Sequence, residues 1–163
     1  MTETLMAFRP IDTMPFPDLT RLQLGELRVS KSGTKSAGLS LGGKPLDIVI
    51  GDGAPLRIVF DVKANKDEAT TRLNMMLSLN DASIANFFQT LENAIIDQLA
   101  ARASHYFKKD VSKEGVELMW KSVLNQSDGY EPVLRTKVNV EPPRQLRVWN
   151  ADKEQIELPT EFK

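Results

Sequence analysis

Residues 72–100 read RLNMMLSLNDASIANFFQTLENAIIDQLA, and the hydrophobic period changes partway along. In the first nine residues Leu73, Met75, Leu77 and Leu79 alternate with Arg72, Asn74, Met76 and Ser78. Successive side chains of a strand point to opposite faces, so this alternation predicts a half-buried β-strand. From Ile84 the apolar positions run Ile84, Phe87, Phe88, Leu91, Ile95 and Leu99, and continue to Ala103 and Tyr106. That is helical spacing over about six turns. Asp81 or Ser83, at the junction, can cap the helix by accepting from its orphan backbone N–H groups. A strand feeding a long helix, with more strands before and after, predicts an α+β fold.

Upstream, LRIVFDVK (56–63) alternates in the same way. Leu56, Ile58, Phe60 and Val62 are expected to point inward, and Arg57, Val59, Asp61 and Lys63 outward. Joined by the polar ANKDEATT, this run and 72–80 predict an antiparallel pair. In TRLQLGELRVS, Leu22 and Leu24 share one parity and Leu27 and Val29 the other, so the phase changes at Gly25. A glycine at a phase break suggests a bulge or sharp bend, as a closing barrel needs. SKSGTKS (30–36) and GDGAP (51–55) read as turns, and GLSLGGKPLDIVI as strand broken at Gly42-Gly43. Residues 1–18, with Pro10, Pro15 and Pro17, read as an irregular arm.

Downstream, Ser112 is a candidate N-cap for a second helix, with Glu114 in its first turn and a stripe of Val116, Met119, Trp120 and Val123. NQSDG stops it. YEPVLRTKVN (130–139) then alternates again, with Leu134, Thr136 and Val138 on one face and Arg135, Lys137 and Asn139 on the other. After the stiff corner EPPR, QLRVWN places Leu146 and Val148 opposite Arg147 and Trp149. If these two late strands pair, Arg135, Lys137, Arg147 and Trp149 share a surface. From 130 to 150 there are four cations (Arg135, Lys137, Arg144, Arg147) and two anions (Glu131, Glu141). Basic side chains can track a phosphate backbone while Trp and Tyr faces stack on bases. A duplex hides its base faces, so the composition favours a single strand. The same cations also suit an ordinary solvated face that guards a sheet edge.

The chain of 163 residues predicts one domain, and its net charge of -1 gives no global attraction for polyanions. It has no cysteine, which excludes disulfides, thiolate metal sites and a cysteine nucleophile. No run approaches the roughly 18 apolar residues of a membrane span, and the N-terminus lacks the pattern of a signal peptide; an intracellular location is expected. His105 has no adjacent nucleophile pair, and Ser104 beside it points elsewhere on a helix. Gly42-Gly43 and Gly51-Asp52-Gly53 lack phosphate-loop spacing. Asp47, Asp52 and Asp61 would hold a hard cation only if the fold gathered them. No enzyme signature, metal site or cofactor is expected. Lys108, Lys109 and Lys113 form a second basic cluster around the turn between the helices.

The order of elements resembles a known family. A helix of form FFxxLxxxIIDQL leads to HYFKKDVSKEGVELMW, then to the strand YEPVLRTKV, a further strand and the acidic IELP stretch. Across about residues 55–160 this is similar to the single-stranded DNA-binding proteins of large eukaryotic DNA viruses, including algal-virus members. The resemblance implies an oligonucleotide-binding (OB) β-barrel with inserted helices and a role in coating single strands during viral replication, recombination or repair. Tyr130, Pro132, Leu134 and Lys137 match the strand pattern, with Lys137 as a phosphate contact. In that family strands follow the IELP-like segment, whereas this sequence reads ELPTEFK there.

The expectations are therefore an α+β fold, mainly an antiparallel β-barrel or curved OB-like sheet, with helices near 82–107 and 113–125 inserted before the last strands. A β domain over 19–150 follows the arm, and 151–163 forms an acidic tail with four carboxylates against two lysines. The expected activity is non-enzymatic binding of single-stranded DNA through Arg57, Lys63, Tyr130, Arg135, Lys137, Arg147 and Trp149. The tail is a candidate recruiter of replication proteins, and a homo-oligomer is open. The competing expectation is a structural or assembly protein, such as a virion or scaffold component, with no nucleic-acid binding.

Overall fold

A computed structural model of the chain describes residues 3–7, 18–50, 56–63 and 72–157. The first half contains β1 (Glu3–Ala7), β2 (Leu22–Leu24), β3 (Arg28–Val29), β4 (Lys35–Ser36), β5 (Leu39–Leu41), β6 (Lys44–Val49), β7 (Arg57–Ile58) and β8 (Arg72–Ser78). Three helices follow, α1 (Ala82–Ala101), α2 (Ala103–Phe107) and α3 (Lys113–Met119). The chain then returns to strands β9 (Leu124–Asn125), β10 (Val133–Asn139), β11 (Val148–Trp149) and β12 (Gln155–Ile156). The fold is α+β, as the change of period predicts. Among the described residues the strands form open sheets and no closed barrel: β1-β6-β5-β2, β7-β8-β10-β9 and the two-stranded pairs β3-β4 and β11-β12. Every pairing is antiparallel except β1 with β6, which is parallel.

The chain divides into two compact units. One comprises Met1–Pro55 and Asp81–Ser122, the other Leu56–Asn80 and Val123–Lys163. Both ends carry strands. The stretch read as an irregular arm contains β1, held by backbone pairing to β6. The acidic tail begins as a hairpin: Val148 faces Ile156, and the Asn150 side chain closes the loop by accepting from Glu154 N–H at 2.9 Å.

In the first unit, Asp81 caps α1 by accepting from Ser83 N–H at 2.8 Å. The buried face of α1 carries Ile84, Phe87, Phe88, Leu91 and Ile96, beside buried Leu22 and Leu24 of β2 and Val116 of α3. The outer side of β2 is an edge, and an edge strand presents unpaired backbone groups. Helix side chains supply the partners. Gln98 donates to the Leu22 carbonyl and accepts from Leu24 N–H at 3.4 Å, as a neighbouring strand would. The Tyr106 hydroxyl donates to the Gly25 carbonyl at 2.9 Å and accepts from Arg102 Nη1 at 3.2 Å. Arg102 also reaches the Leu24 carbonyl at 3.1 Å.

The helix expected to run to 107 breaks at Arg102, whose backbone leaves helical geometry with φ -122° and ψ 31°. The second helix stops at Met119, not near 125, because Trp120 is extended (ψ 131°). Of its expected stripe, Val116 is buried, but Met119 and Val123 are exposed. Gly42 and Gly43, with φ of 57° and 83°, form the two-residue hairpin turn between β5 and β6. They are turn residues, and Gly51-Asp52-Gly53 lies outside the described residues.

Candidate nucleic-acid interface

The second unit is built on β8. Its partner β10 pairs with it over its whole length, from Val133 opposite Ser78 to Asn139 opposite Arg72. On the other side Arg57 faces Ser78 and Ile58 faces Leu77. Directly opposed residues of an antiparallel pair share a face. Leu134 and Val138 are therefore turned with Leu73, Met75, Leu77 and Ile58 to the inner side, and both are buried. The outer side collects Arg57, Lys63, Arg72, Arg135 and Lys137, all exposed. Lys63, Asn74 and Lys137 form one row across three chain segments, since Asn74 bridges Lys63 and is opposite Lys137. Arg72 is tied in place by donating from Nε to Asn139 Oδ1 at 3.1 Å. Among the described residues, Arg57, Lys63 and Arg135 make no ion pair.

Register explains one reversal. Val59 N–H still bonds to the Met76 carbonyl at 3.1 Å, but Lys63 is already opposite Asn74. Phe60, Asp61 and Val62 are thus accommodated against the single residue Met75, which makes a bulge. The bulge turns Phe60 out of the core, leaving it 59% exposed, while Val62 is buried at 3%. Phe60 was expected to point inward. It faces solvent because two extra residues must leave the ladder. No signal in LRIVFDVK distinguishes this from regular alternation; only pairing with 72–78 reveals it.

Phe60 and Tyr130 line one groove of about 470 Å³ with Arg57, Ser78, Asn125 and Glu131. Tyr130 is 78% exposed. It is presented by the turn after β9, where its N–H bonds to the Ser127 carbonyl at 3.1 Å and Gly129 adopts φ 80°. Buried Ser78 donates to the Glu131 carboxylate from the same rim. The groove therefore holds two aromatic faces, a guanidinium and a carboxylate. Glu131 and Phe60 are functional candidates that the sequence reading missed.

Arg147 and Trp149 are placed differently. The pairing expected between the two late strands does not form: β10 is flanked by β8 and β9, and β11 pairs with β12. One backbone bond links the segments, Leu146 N–H to the Asn139 carbonyl at 2.7 Å. Alternation itself holds, with Arg147 exposed and Trp149 53% exposed on the outside of the hairpin. The structure thus brings Arg57, Lys63, Arg135 and Lys137 to one face and puts Tyr130 at its rim, but it carries Arg147 and Trp149 on a separate hairpin.

The residues weighed for catalysis are engaged elsewhere. The Ser104 hydroxyl donates to Asp110. His105 Nε2 lies 3.0 Å from Glu26 Oε2, an ion-pair distance without hydrogen-bond alignment. Lys113, from the second basic cluster, sits with its Nζ 2.6 Å from Asp97 Oδ1, and that hydrogen bond holds its ammonium pKa above the ordinary lysine value. Among the described residues no three of His, Asp or Glu gather as a metal site, and no helix is long and apolar enough to cross a membrane. Comparison with family models, curated proteins and solved structures finds no match to this chain, so the basic, aromatic-rimmed sheet of the second unit is the feature on which a function must be argued.

Proposed function

We propose that this chain is a non-enzymatic single-stranded DNA-binding protein whose interface is the outer face of the β7-β8-β10 sheet. The observation that carries the reading is the cross-strand register, which aligns Lys63 with Lys137 and sets Arg57 and Arg135 on the same side. Lys and Arg on that face neutralise phosphates, and Phe60 and Tyr130 at its rim stack on bases. Arg147 and Trp149, exposed on their hairpin, serve as an outlying contact for a longer strand. Such contacts carry little base information, so the affinity of the whole face is weakly dependent on sequence. The open, bulged sheet supports the curved OB-like form of the expected fold. The resemblance to viral single-strand binders supports a role in viral DNA replication, recombination or repair, with the acidic tail recruiting other replication proteins.

The test is binding of a fluorescent oligo-dT, with a duplex control, at two salt concentrations. Salt-sensitive binding of the single strand alone is the expected result. Lys137→Glu should weaken it and flatten the salt dependence, by about 0.7 in the log–log slope for each phosphate that is no longer neutralised. Unchanged affinity of that variant at low salt removes Lys137 from the interface, and no binding by the wild-type chain removes the reading. A second reading, a structural or assembly protein, is favoured by α3, where Leu118 is 88% exposed beside exposed Met119. It predicts concentration-dependent oligomers by light scattering and no oligonucleotide binding.

A further inference from the structure

The groove beside the basic face has a more selective chemistry than a stacking platform requires. Arg57 and Glu131 both line it, yet they make no ion pair with each other among the described residues. A guanidinium only donates hydrogen bonds, and a carboxylate only accepts them. Glu131 is oriented by Ser78, which is itself buried at 3% and spends its hydroxyl on one carboxylate oxygen. A fixed acceptor and a donor fork thus share one cavity, with Phe60 and Tyr130 beside them as exposed aromatic faces.

We infer that this groove is a base-selective pocket that prefers guanine. This rests on the single-strand reading and names the base its groove takes. Guanine offers two adjacent donors, N1–H and the 2-amino group, along its Watson–Crick edge, and two acceptors, O6 and N7, on the other side. A carboxylate accepts the first pair, and an arginine donates to the second. Thymine answers poorly, because its single N3–H lies between two carbonyl oxygens that repel a carboxylate. Cytosine and adenine each offer one amino group beside an acceptor nitrogen, so the carboxylate gains one hydrogen bond and meets one lone pair. The volume of about 470 Å³ admits one base with its sugar rather than a run of bases. Selectivity is therefore confined to one position in a strand that is otherwise held by phosphate and stacking contacts.

The experiment measures binding of eleven-nucleotide dT strands with one central base replaced by guanine, hypoxanthine, adenine or cytosine, beside the all-dT strand. A single guanine avoids four-stranded assemblies. The guanine strand should bind about tenfold tighter than all-dT, and hypoxanthine, which lacks the 2-amino group, should fall between them. Glu131→Gln keeps a side chain that Ser78 can still bond but presents a donor to N1–H. It should erase the guanine preference, and all-dT should bind no more weakly than to wild type because the charge that repels thymine's carbonyl oxygens is gone; thermal melting checks that the variant is folded. Equal binding of all strands, a preference for another base, or a guanine preference that survives in Glu131→Gln overturns the pocket while the single-strand reading stands. Absence of binding to every strand overturns both.

Discussion

The two units use their polar side chains in opposite ways. In the first, Gln98, Arg102 and Tyr106 turn to the backbone of β2 and satisfy an edge that would otherwise be open. In the second, Arg57, Lys63, Arg135 and Lys137 stand on the outer face of a sheet, and Phe60 and Tyr130 are exposed at its rim. The first arrangement lowers the free energy of the fold, since buried backbone groups without partners are costly. The second contributes little to folding, because exposed charges and aromatics gain little from their neighbours. The contrast teaches where to look for function: at the side chains that folding does not need. It predicts that substitutions in the first unit change stability, and substitutions on the second unit's outer face change binding.

The largest expected effect is in the first unit's core. Phe87 is wholly buried on α1, edge-on to Phe88. Phe87→Ala should cost about 3–5 kcal/mol through reduced burial and the cavity left behind, a large part of the roughly 5–15 kcal/mol that holds a typical domain folded. The chain's two tryptophans allow a local readout, since Trp120 belongs to the first unit and Trp149 to the second. Urea unfolding followed by fluorescence in Trp149→Phe and Trp120→Phe backgrounds should show the Trp120 transition at lower denaturant in Phe87→Ala. Equal displacement of both signals would show that the units unfold together, and the division would then be one of architecture and not of stability.

The two tyrosines sharpen the contrast at the scale of one side chain. Tyr106 is buried with its hydroxyl on the Gly25 carbonyl, and Tyr130 is the exposed member. Tyr106→Phe removes that hydrogen bond to the exposed Gly25 and should cost about 0.5–1.5 kcal/mol of stability with no change in oligonucleotide affinity. Tyr130→Ala should leave the unfolding midpoint within error and weaken single-strand binding by about 1–3 kcal/mol, the worth of one stacked base. Calorimetric melting and fluorescence anisotropy, run on both variants, check the four outcomes. If Tyr130→Ala destabilises the fold and spares binding, the groove is structural.

Much of this contrast is legible in the sequence. The change of period after Leu79, the caps at Asp81 and Ser112, and the alternation of 133–139 follow from local steric and hydrogen-bonding rules, and each is present in the structure. The cation set Arg57, Lys63, Arg135 and Lys137 is legible too, because parity alone assigns each residue to a face. What escapes is whatever depends on non-local register. Phe60 obeys the alternation in sequence and breaks it in space, since the bulge is defined against Met75 and Met76 on another strand. The hairpin partner of Trp149 is likewise a residue of the supposed tail, Gln155, and no period within QLRVWN specifies it. Gln98 and Arg102 lie on a helix where polar residues read as solvated, and only the position of β2 gives them backbone partners. Glu131 enters the site because its partner is Ser78, fifty-three positions away in the chain.

The smallest effect compares two carboxylates, one in each unit. Glu114, in the first turn of α3, accepts from its own backbone N–H and from the Ser112 hydroxyl, which holds its carboxyl below the ordinary glutamate range. A depressed folded pKa means that the folded chain favours the ionised form, so the contribution is present above the unfolded pKa of about 4.3. It is lost as pH falls through the lower folded pKa, when the proton is taken up in both states. Wild type should therefore melt slightly above Glu114→Gln at pH 7, and the gap should close on acidification below about pH 4. The side chain is fully exposed, so the difference is expected to be small and needs differential scanning calorimetry on matched samples. Glu131→Gln, in the other unit, should act on the choice of base. A gap for Glu114→Gln that stays constant from pH 7 to pH 3 would assign the effect to helix propensity, and the carboxylate at this helix start would then have no electrostatic part in the fold.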